Sequence, residues 1–523
     1  MHYLKIGKAE ELKGRDRKLY RIFEIMPGAL SWITLLGLFV LSYFTPIYVA
    51  FFIIAFDVYW LLLVIFLGIH LIFSYRKLKK NLKIDWRGKI MELSQNLNNL
   101  KNKECLALKG VSWEDVIHLL ILPTYNENLD VIKTSFIGLI NDGYPLDKMI
   151  VVLAIEERAG EEAIKRAEQI KNEFGSNFKN FLITIHPDNI TGELKGKGAN
   201  QAWAAKTVKK EIIDREKFDY DRIMVSVLDI DTVVEPGYFF RLTYAFLTEN
   251  KPFRKSYQPV PVYHNNIWQA PFFARVAASS NTFWQMMQQI RQEKLATYSS
   301  HSMTWRALVD IGFWSTSMVS EDSRIFWHCF LYYNGDYEVM PLHFPVSMDV
   351  TMDETNWQTA KNLYKQQRRW GWGVENLPYL IFNAIKRRRQ IPKGKVISRI
   401  FVQLHGFHSW ATNALIIAVI GWMPMLLGGD RFNATVLSTN LPSVARVLMT
   451  IAMSGLVLSA IISTLLLPKK PKKYGFVKYI KMVGQWIILP ISIIIFGSIP
   501  GLDAQTRLMI NKPLGFFVTP KKR

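Results

Sequence analysis

Residues 29–73 are almost continuously apolar, and this run constrains the fold more than any other feature of the sequence. A helix needs about 20 residues to cross the hydrocarbon core of a bilayer, so the run is long enough for two crossings. Thr45 and Pro46 interrupt it and are expected to form the turn between the two helices. Further apolar segments predict more membrane helices near the other end of the chain, at 411–427, 444–467 and 476–499.

Lysine and arginine residues flank these apolar runs. The chain of 523 residues has a formal net charge of +22, although half of its residues are hydrophobic. The basic clusters lie at residues 5–21, 76–89, 386–395 and 469–473. This placement favours attachment to an anionic cytosolic leaflet and argues against nucleic-acid binding, the other common reason for strong positive charge. We therefore expect an integral protein of the cell (inner) membrane whose first two helices begin and end in the cytosol.

The topology of the last part of the chain stays open from the sequence. Three crossings from a cytosolic start would leave the end outside, yet the basic residues 521–523 favour the cytosol. An interfacial or re-entrant segment would remove this conflict. Asp57, within the second predicted helix, is either functional or simply reaches water near the outer end. The two cysteines, Cys105 and Cys329, predict no disulfide framework and favour a reducing compartment.

Between the two apolar regions, mixed polarity predicts a cytosolic α/β domain. Four short apolar runs are typical of buried parallel strands, at 116–122, 150–155, 181–185 and 223–228. The charged amphipathic stretch 160–174 suits a crossover helix. This alternation predicts a Rossmann-like, mostly parallel sheet with its site at the carboxyl ends of the strands. The expected divisions are a basic N-terminus and transmembrane hairpin (1–83), the α/β domain (84–374), interfacial helices (375–410), transmembrane helices (411–500) and a basic tail (501–523).

Asp229 and Asp231 follow directly after the last of these predicted strands. In an extended chain, residues two apart share a face, so both carboxylates can point into one crevice beyond the strand end. Two oxygen ligands suit Mg²⁺ or Mn²⁺, which keep positions for phosphate oxygens and can stabilise a departing diphosphate. Because Asp-x-Asp is frequent by chance, a solvated turn is the alternative for this motif alone.

Two loops near the strand ends carry groups that can hold a nucleotide. The first predicted strand ends in Pro-Thr-Tyr-Asn-Glu, where Thr124, Tyr125 and Glu127 could hold a base and ribose, although a plain turn explains the motif equally well. Lys197 lies in a Gly-Lys-Gly turn before a helix-like stretch, where a cation and backbone amides can meet phosphate oxygens. This turn lacks the P-loop pattern, and an ordinary flexible basic loop is the alternative.

Glu321 and Asp322 precede an apolar helical run at 325–330. Acidic side chains in a first helical turn commonly just complement the helix dipole. The other interpretation makes Asp322 a general base that removes the proton of an acceptor hydroxyl. Since a helix N-terminus lowers the pKa of a carboxyl, burial or a neighbouring anion would have to offset that effect.

Gln366, Arg369 and Trp370 belong to the most distinctive short segment, Gln-Gln-Arg-Arg-Trp. On a helix they stand at i, i+3 and i+4 and therefore share one face. The arginine could bind a diphosphate through two parallel hydrogen bonds, and the tryptophan could stack on a sugar ring. A membrane-surface helix anchored by tryptophan and arginine is the alternative.

The order of these motifs resembles the family 2 membrane glycosyltransferases, which include cellulose, chitin and hyaluronan synthases. Pro-Thr-Tyr-Asn-Glu, Lys-Gly-Ala-Asn, Asp-x-Asp, Glu-Asp and Gln-x-x-Arg-Trp follow one another within one α/β domain that lies between hydrophobic segments. The resemblance implies an α/β GT-A fold. It also implies a single displacement, assisted by Mg²⁺ or Mn²⁺, that inverts the sugar supplied by a nucleotide-sugar donor.

The resemblance further implies roles for single residues. The implied donor-binding residues are Thr124, Tyr125, Glu127, Glu156, Lys197, Asp229, Gln366 and Arg369. The implied metal ligands are Asp229 and Asp231, and the implied catalytic base is Asp322. The implied acceptor-site residues are Trp370, Glu321 and His301, the last within a looser match at 298–302.

Two departures limit what the resemblance implies. Relatives usually carry Asp-Asp-Gly-Ser after the second strand, whereas this chain has Glu156 and Glu157 there. A UDP-sugar donor is therefore expected, but another nucleotide base stays open. The short tail after Ile499 leaves no room for the cyclic-di-GMP-binding domain of bacterial cellulose synthases.

The sequence thus predicts a metal-dependent hexosyltransferase that extends a β-linked polysaccharide and passes it through its own membrane helices. A transferase that adds one sugar to a lipid or oligosaccharide acceptor is the first alternative, because some lipid glycosyltransferases also carry a Gln-x-x-Arg-Trp-like helix. A non-catalytic channel or scaffold is the second, and the intact Asp229, Asp231, Asp322 and Arg369 argue against it. The sugar, the linkage and any accessory subunit are not determined by the sequence.

Overall fold

The computed structural model describes residues 2–97 and 111–519, which contain one eight-stranded sheet. The strands are β1 Ile117–Thr124, β2 Met149–Glu156, β3 Asn180–His186, β4 Ile223–Val227, β5 Val233–Val234, β6 Lys255–Tyr263, β7 His301–Thr304 and β8 Glu338–Met348. Their order is β3-β2-β1-β4-β7-β6-β8-β5. β3, β2, β1 and β4 are parallel neighbours, β7 is antiparallel to β4 and β6, and β6 is parallel to β8. Cys105 and the basic residues 521–523 lie outside the described residues.

The four predicted strands are confirmed as β1 to β4, with ends shifted by one or two residues. Every residue of β1 and β2 is buried, which explains why both appear in the sequence as continuous apolar runs. β6 and β8 lack this signal because each contains two prolines, Pro259 and Pro261 in β6 and Pro341 and Pro345 in β8. Proline cannot donate a ladder hydrogen bond, and the pairing of these two strands shifts register between Gln258 and Val260.

Helices cover both faces of the sheet and extend from it at both ends of the chain. In chain order they are α1 Gly14–Phe44, α2 Pro46–Asn81, α3 Trp86–Leu97, α4 Leu129–Asn141, α5 Glu161–Phe174, α6 Lys197–Val208, α7 Tyr238–Thr248, α8 Phe272–Ile290, α9 Trp305–Ile311, α10 Glu321–Tyr332, α11 Asn356–Gly371, α12 Asn376–Lys386, α13 Lys393–Ala418, α14 Met423–Leu427, α15 Gly429–Asn433, α16 Val436–Ala452, α17 Ser454–Leu466, α18 Phe476–Gly484, α19 Leu489–Ile493 and α20 Ile499–Met509. The predicted crossover helix is confirmed as α5. The sheet and helices α3 to α12 are called the sheet domain below.

The sheet domain has a hydrophobic core on each face of the sheet. Leu119 and Ile121 of β1 belong to the core that includes α6 and α10, whereas Leu120 and Leu122 belong to the core that includes α4, α5 and α7. Burial of alternate residues on opposite faces fixes the register of β1 and aims the carboxyl ends of the parallel strands at one edge.

Among the described residues, four helical segments are long and apolar enough to cross a membrane: Gly14–Phe44, Pro46–Asn81, Val436–Leu466 and Phe476–Met509. α13 passes the same test only together with 420–427, to which it is bent by 41°. α1 and α2 meet at Thr45, as predicted.

α1 begins well before the apolar run at residue 29. Its first turns pack on the sheet domain, where the ring centroids of Tyr20 and Phe382 lie 5.2 Å apart and Lys386 binds Asp16 at 2.6 Å. The apolar run alone therefore underestimates the length of this helix, because tertiary packing stabilises the polar turns that precede the run.

Candidate active site

Several predicted site residues meet at the carboxyl ends of β1 and β4. Lys197 begins α6, directly after Gly196, whose φ of 150° favours glycine. The Lys197 ammonium lies 2.6 Å from Asp229 Oδ1, 2.8 Å from Asp322 Oδ2 and 3.9 Å from Glu321 Oε1. One cation is thus shared by three carboxylates, which come from the end of β4 and the start of α10.

Burial and the neighbouring charges together set the protonation of this cluster. Burial would by itself lower the pKa of Lys197, but the carboxylates of Asp229 and Asp322 more than offset it and raise that pKa above its usual range. Burial and the neighbouring Asp322 carboxylate raise the pKa of Glu321, against the effect of Lys197. Lys197 therefore stays charged, while Glu321 favours its neutral form more than an exposed glutamate does.

Asp322 is held in place by the start of α10. Ser320 donates two hydrogen bonds to Glu375 Oε1, from its backbone N–H at 3.1 Å and from its hydroxyl at 2.6 Å. Thr297 donates a third hydrogen bond, of 2.6 Å, to the backbone carbonyl of Asp322. These contacts fix the first turn of the helix from two neighbouring segments and leave the Asp322 carboxylate directed at Lys197.

Asp229 and Asp231 follow β4, as predicted, but their carboxylates make different contacts. Asp229 faces Lys197 and accepts a hydrogen bond from Ser299, whereas the buried Asp231 accepts one of 2.9 Å from the backbone N–H of Asp349. Both carboxylates nevertheless influence Tyr263. Burial raises the pKa of its hydroxyl, and the negative charges of Asp229 and Asp231 raise that pKa further. The pair therefore borders one ring, and Asp229 also contacts the lysine.

These two aspartates are the predicted metal ligands. Within residues 2–97 and 111–519, no group of three or more His, Cys, Asp or Glu side chains could hold one without further ligands. Mg²⁺ commonly binds through one or two carboxylates and completes its shell with water and substrate phosphates. Asp229 and Asp231 fit such a partial set, which the diphosphate of a donor would complete.

Thr124, Tyr125 and Glu127 form a closed turn at the end of β1. The Thr124 hydroxyl and the Tyr125 backbone N–H both donate to Glu127 Oε2, each at 2.8 Å. The guanidinium of Arg158 lies 4.7 Å from the centre of the Tyr125 ring and donates to Glu156 at 2.6 Å. Glu127 thus stabilises its own turn, and Arg158 connects that turn to the end of β2.

A cavity of about 240 Å³ lies at the carboxyl ends of β2 and β3. Its lining includes Glu156, Arg158, His186, Asp188, Glu193 and Lys195. His186 pairs with Glu156 across the two strands, and its Nε2 lies 2.8 Å from Glu193 Oε2. Of these residues only Glu156 is predicted from the sequence. The end of the third predicted strand, one residue before His186, is the signal that points to the others.

The predicted face of α11 turns toward the same edge of the sheet. The Thr351 hydroxyl donates to Gln366 Oε1 at 2.8 Å, and the ring centroids of Trp370 and Tyr263 lie 6.3 Å apart. Since Tyr263 borders Asp229 and Asp231, Trp370 lies on the aspartate side of the site. The shared face of Gln366, Arg369 and Trp370 is thus directed at the cluster and not at open solvent.

Phe516 reaches the site from the far end of the chain. Its ring centre lies 4.8 Å from the Arg369 guanidinium, and a Cβ on Gly196 would lie only 2.6 Å from its Cγ. The ring therefore lies between α11 and the turn that presents Lys197. Neither Phe516 nor Tyr263 belongs to a motif, so the sequence alone gives no signal for either.

His301 lies on β7, opposite Val227 of β4. Its Nδ1–H donates to the carbonyl of Tyr298 at 2.9 Å, and its buried Nε2 has no hydrogen-bond partner within the described part of the chain. Burial lowers the pKa of His301, so the ring is neutral and Nε2 is an acceptor. The looser match at 298–302 therefore falls on the wall of the site.

Comparison with known proteins gives a match to one family model over part of the chain and several structural similarities at low identity. Residues 224–467 match the family model described as glycosyl transferase family group 2. None of the curated protein sequences is similar enough to match this chain.

Solved structures resemble the chain at low identity. A mannosyltransferase, PcManGT from Pyrobaculum calidifontis in complex with GDP-Man and Mn²⁺, is 14% identical with a TM-score of 0.40, and the alignment covers 77% of this chain and 99% of that one. TarS from S. aureus, residues 1–349, is 11% identical with a TM-score of 0.35, and the alignment covers 67% and 91% of the two chains.

The family match and the sheet together confirm the predicted fold class. The matched stretch begins in β4 and includes Asp229, Asp322 and the α11 segment. Helices of membrane-spanning length lie on either side of the α/β domain in the chain, as the apolar runs predict. The fold is thus an α/β GT-A domain between membrane-type helices, and the match supports a glycosyltransferase.

Proposed function

We propose that this protein transfers a sugar from a nucleotide-sugar to an acceptor hydroxyl, with inversion at the anomeric carbon. The observation that carries the proposal is the contact of Lys197 with both Asp229 and Asp322. A cation able to bind phosphate and a carboxylate able to take a proton meet where ligands bind in open α/β sheets. The family match over 224–467 supports the same activity.

The donor diphosphate is proposed to bind between Lys197 and Arg369, which requires the Phe516 ring to move out of the space between α11 and the turn before α6. The first cation comes from the turn before α6 and the second from α11, so positive charge lies on two sides of the proposed position. A divalent ion held by Asp229 and Asp231 would neutralise charge on the departing diphosphate. The nucleoside would then lie toward Tyr125, beside the cavity at the ends of β2 and β3.

Asp322 is the proposed general base. Diphosphate oxygens compete for the Lys197 ammonium, so donor binding would free the Asp322 carboxylate to take the proton of the acceptor hydroxyl. The acceptor oxygen forms a bond to the anomeric carbon while the bond from that carbon to the phosphate oxygen breaks. The bonding electrons leave with the nucleoside diphosphate, and the proton stays on Asp322.

The acceptor is proposed to approach along Trp370, Glu321 and His301. Trp370 offers an aromatic face for a sugar ring, and the free Nε2 of His301 offers an acceptor for a hydroxyl. We further propose that the acceptor is a saccharide chain that is extended repeatedly on the cytosolic side and passed along the membrane helices. The Gln-x-x-Arg-Trp segment, together with the helices of spanning length on either side of the sheet domain in the chain, supports this version. Addition of one sugar to a lipid-linked or oligosaccharide acceptor would use the same site.

A donor screen tests the proposal. Purified protein is incubated with radiolabelled UDP- and GDP-sugars and Mn²⁺ or Mg²⁺, and both nucleoside diphosphate release and product size are measured. We expect release with one donor class, its loss with EDTA and its return with excess metal. No release with any donor would refute the transferase activity. A product that carries only one added sugar would refute chain extension and leave transfer intact.

A further inference from the structure

The last apolar helical segment, residues 476–509, contacts the sheet domain from its first turn to its last. In chain order, Tyr479 packs edge-on against Trp268 with ring centroids 5.4 Å apart, Gln485 accepts from Arg275 at 2.6 Å, Phe496 stacks on Phe273 at 5.7 Å, and Asp503 accepts from Arg368 at 2.9 Å. The partners belong to α8, to the loop before it and to α11. The segment therefore runs beside the sheet domain and does not leave it.

The length of this segment can be compared with the thickness of a bilayer. The segment has 34 residues, and a straight helix of that length spans about 51 Å at the rise of an α-helix, against about 30 Å of hydrocarbon in a bilayer. A crossing helix that starts at the sheet domain would carry its far end to the opposite side of the membrane. Here both ends touch the same domain.

The far end also meets the N-terminal region of the chain. Arg21 of α1 donates to the carbonyl of Leu508 at 2.9 Å and to that of Met509, and Asn511 donates to Glu10 at 3.1 Å. The end of the segment and the start of the chain therefore lie on one side of the membrane.

We propose that residues 476–509 lie along the cytosolic leaflet beside the sheet domain and do not cross the bilayer. The exposed face of the segment is mainly apolar and includes Phe476, Ile480, Val483, Ile487, Ile491 and Ile495. Val477 and Lys481 are also exposed. The spacing of the six apolar side chains is helical. These side chains recur every three or four residues, so they form one stripe directed away from the sheet domain. The stripe rests on the acyl chains, and the preceding lysines, 469–473, face anionic headgroups.

This arrangement also removes the topological conflict in the sequence. The remaining candidates for crossings are α1, α2, the α13–α14 pair and α16–α17, and four crossings return the chain to its starting side. The basic clusters at 5–21, 76–89, 386–395 and 469–473 then all face the cytosol. Such one-sided placement is what the positive-inside rule requires.

Sidedness is tested with single cysteines at exposed positions in sealed membrane vesicles of one orientation, labelled with a membrane-impermeant maleimide. Gly515→Cys reports on the tail, Lys13→Cys on the N-terminal side and Ala434→Cys on the segment between α14 and α16. The unsubstituted protein gives the background from native cysteines. We expect Gly515→Cys to label from the side of Lys13→Cys and opposite to Ala434→Cys. Labelling of Gly515→Cys from the side of Ala434→Cys would overturn the proposal.

Depth is tested in vesicles of phosphatidylcholine and phosphatidylglycerol by nitroxide labels at Val477→Cys, Ile480→Cys, Ile487→Cys and Ile491→Cys. Power saturation with oxygen and with a polar nickel chelate reports the depth of each label. We expect one shallow depth for all four positions. Exposed positions of α2, such as Phe51, Leu62 and Ile69, provide the matched control. Label depth along α2 should rise to a maximum near the centre of the bilayer, as in a crossing helix. A deep maximum within 476–509 would contradict the surface location.

Discussion

Asp322 accepts two hydrogen bonds from the Lys197 ammonium, at 2.8 and 3.0 Å, although the two residues are 125 positions apart in the chain. The pair joins the first turn of α10 to the first turn of α6. It also places the proposed base directly beside the proposed phosphate-binding cation in the donor-free protein. A substitution at either residue should therefore change the electrostatic environment of the other side chain.

Replacement of Asp322 by asparagine should abolish transfer without unfolding the protein. The amide keeps the shape of the side chain but cannot take the acceptor proton, so we expect turnover to fall by about 10²–10⁴-fold. Donor binding should persist because the Lys197 ammonium remains. The measurements are product formation and the melting temperature. Asp336→Asn, which removes an exposed ion pair with Lys251, is the control and should leave turnover unchanged. An active Asp322→Asn variant would remove this residue from the role of base.

Replacement of Lys197 by methionine should destabilise the sheet domain. The Lys197 side chain is only 11% exposed, and its loss leaves Asp229 and Asp322 partly buried beside each other without their cation. Loss of one partner from a buried ion pair costs about 3–5 kcal/mol, and partial exposure of these carboxylates places the expected loss near the lower end.

A double-mutant cycle separates this pairing from general damage at the site. The Lys197→Met/Asp322→Asn variant should lose less stability than the sum of the two single variants, because the second change removes an unpaired charge. Chemical unfolding of the four proteins provides the comparison. Strictly additive losses would show that the two side chains do not interact energetically.

Replacement of Trp370 by alanine should weaken acceptor binding and leave donor binding intact. Trp370 packs beside Tyr263 on the aspartate side of the site, where it offers a face to a sugar ring. Loss of one aromatic contact of about 1 kcal/mol corresponds to a several-fold rise in the KM for the acceptor. Trp357 lies on the same helix but is 69% exposed, so Trp357→Ala is the matched control. Equal effects of the two substitutions would argue against a role of Trp370 in the acceptor site.

Gly28→Ala should destabilise the contact between α1 and α20. A Cβ at Gly28 would lie 2.7 Å from the carbonyl oxygen of Gln505 and 2.8 Å from Met509 Cβ, so the two helices would have to separate. Overpacking of this kind costs about 1–3 kcal/mol. Gly37, in the same helix, has no atom within 4 Å of its added Cβ. Gly37→Ala should therefore leave the melting temperature in detergent unchanged or raise it, while Gly28→Ala lowers it.

Asp142 should make the stability of the sheet domain depend on pH. Its carboxyl is buried at the start of α7, and burial raises its pKa to about 7, against the backbone hydrogen bonds that it accepts. The folded form therefore binds more protons than the unfolded chain between about pH 4 and pH 7. The contribution of this group is fully present below about pH 4 and is lost as the pH rises through about 7.

Asp142→Asn should flatten this dependence. The melting temperature of the variant, measured between pH 5 and pH 8, should fall less with rising pH than that of the unsubstituted protein. Asp147 lies on the exposed surface close by in the chain, and Asp147→Asn should retain the full slope. An unchanged slope in Asp142→Asn would mean that another group titrates.

The local sequence pattern was sufficient to predict the fully buried strands and the N-terminal helical hairpin. β1 and β2 are buried on every residue, so hydrophobic burial dictates their apolar runs, and the helical hairpin at Thr45 follows from the length of the run around it. The proline-containing β6 and β8 were not predictable in this way, because their prolines interrupt the apolar pattern even though most of their residues are buried.

The sequence by itself determined which groups are present: the aspartate pair after β4, the lysine turn before α6, the acidic start of α10 and the shared face of α11. The tertiary structure alone decided their partners. It placed Lys197 against Asp322, turned Asp231 to the backbone of Asp349 and brought Phe516 onto Gly196. The physical reason is that periodicity reports the burial of a face within a few residues. Contacts across more than a hundred residues depend instead on how whole elements pack, and no local pattern records that packing.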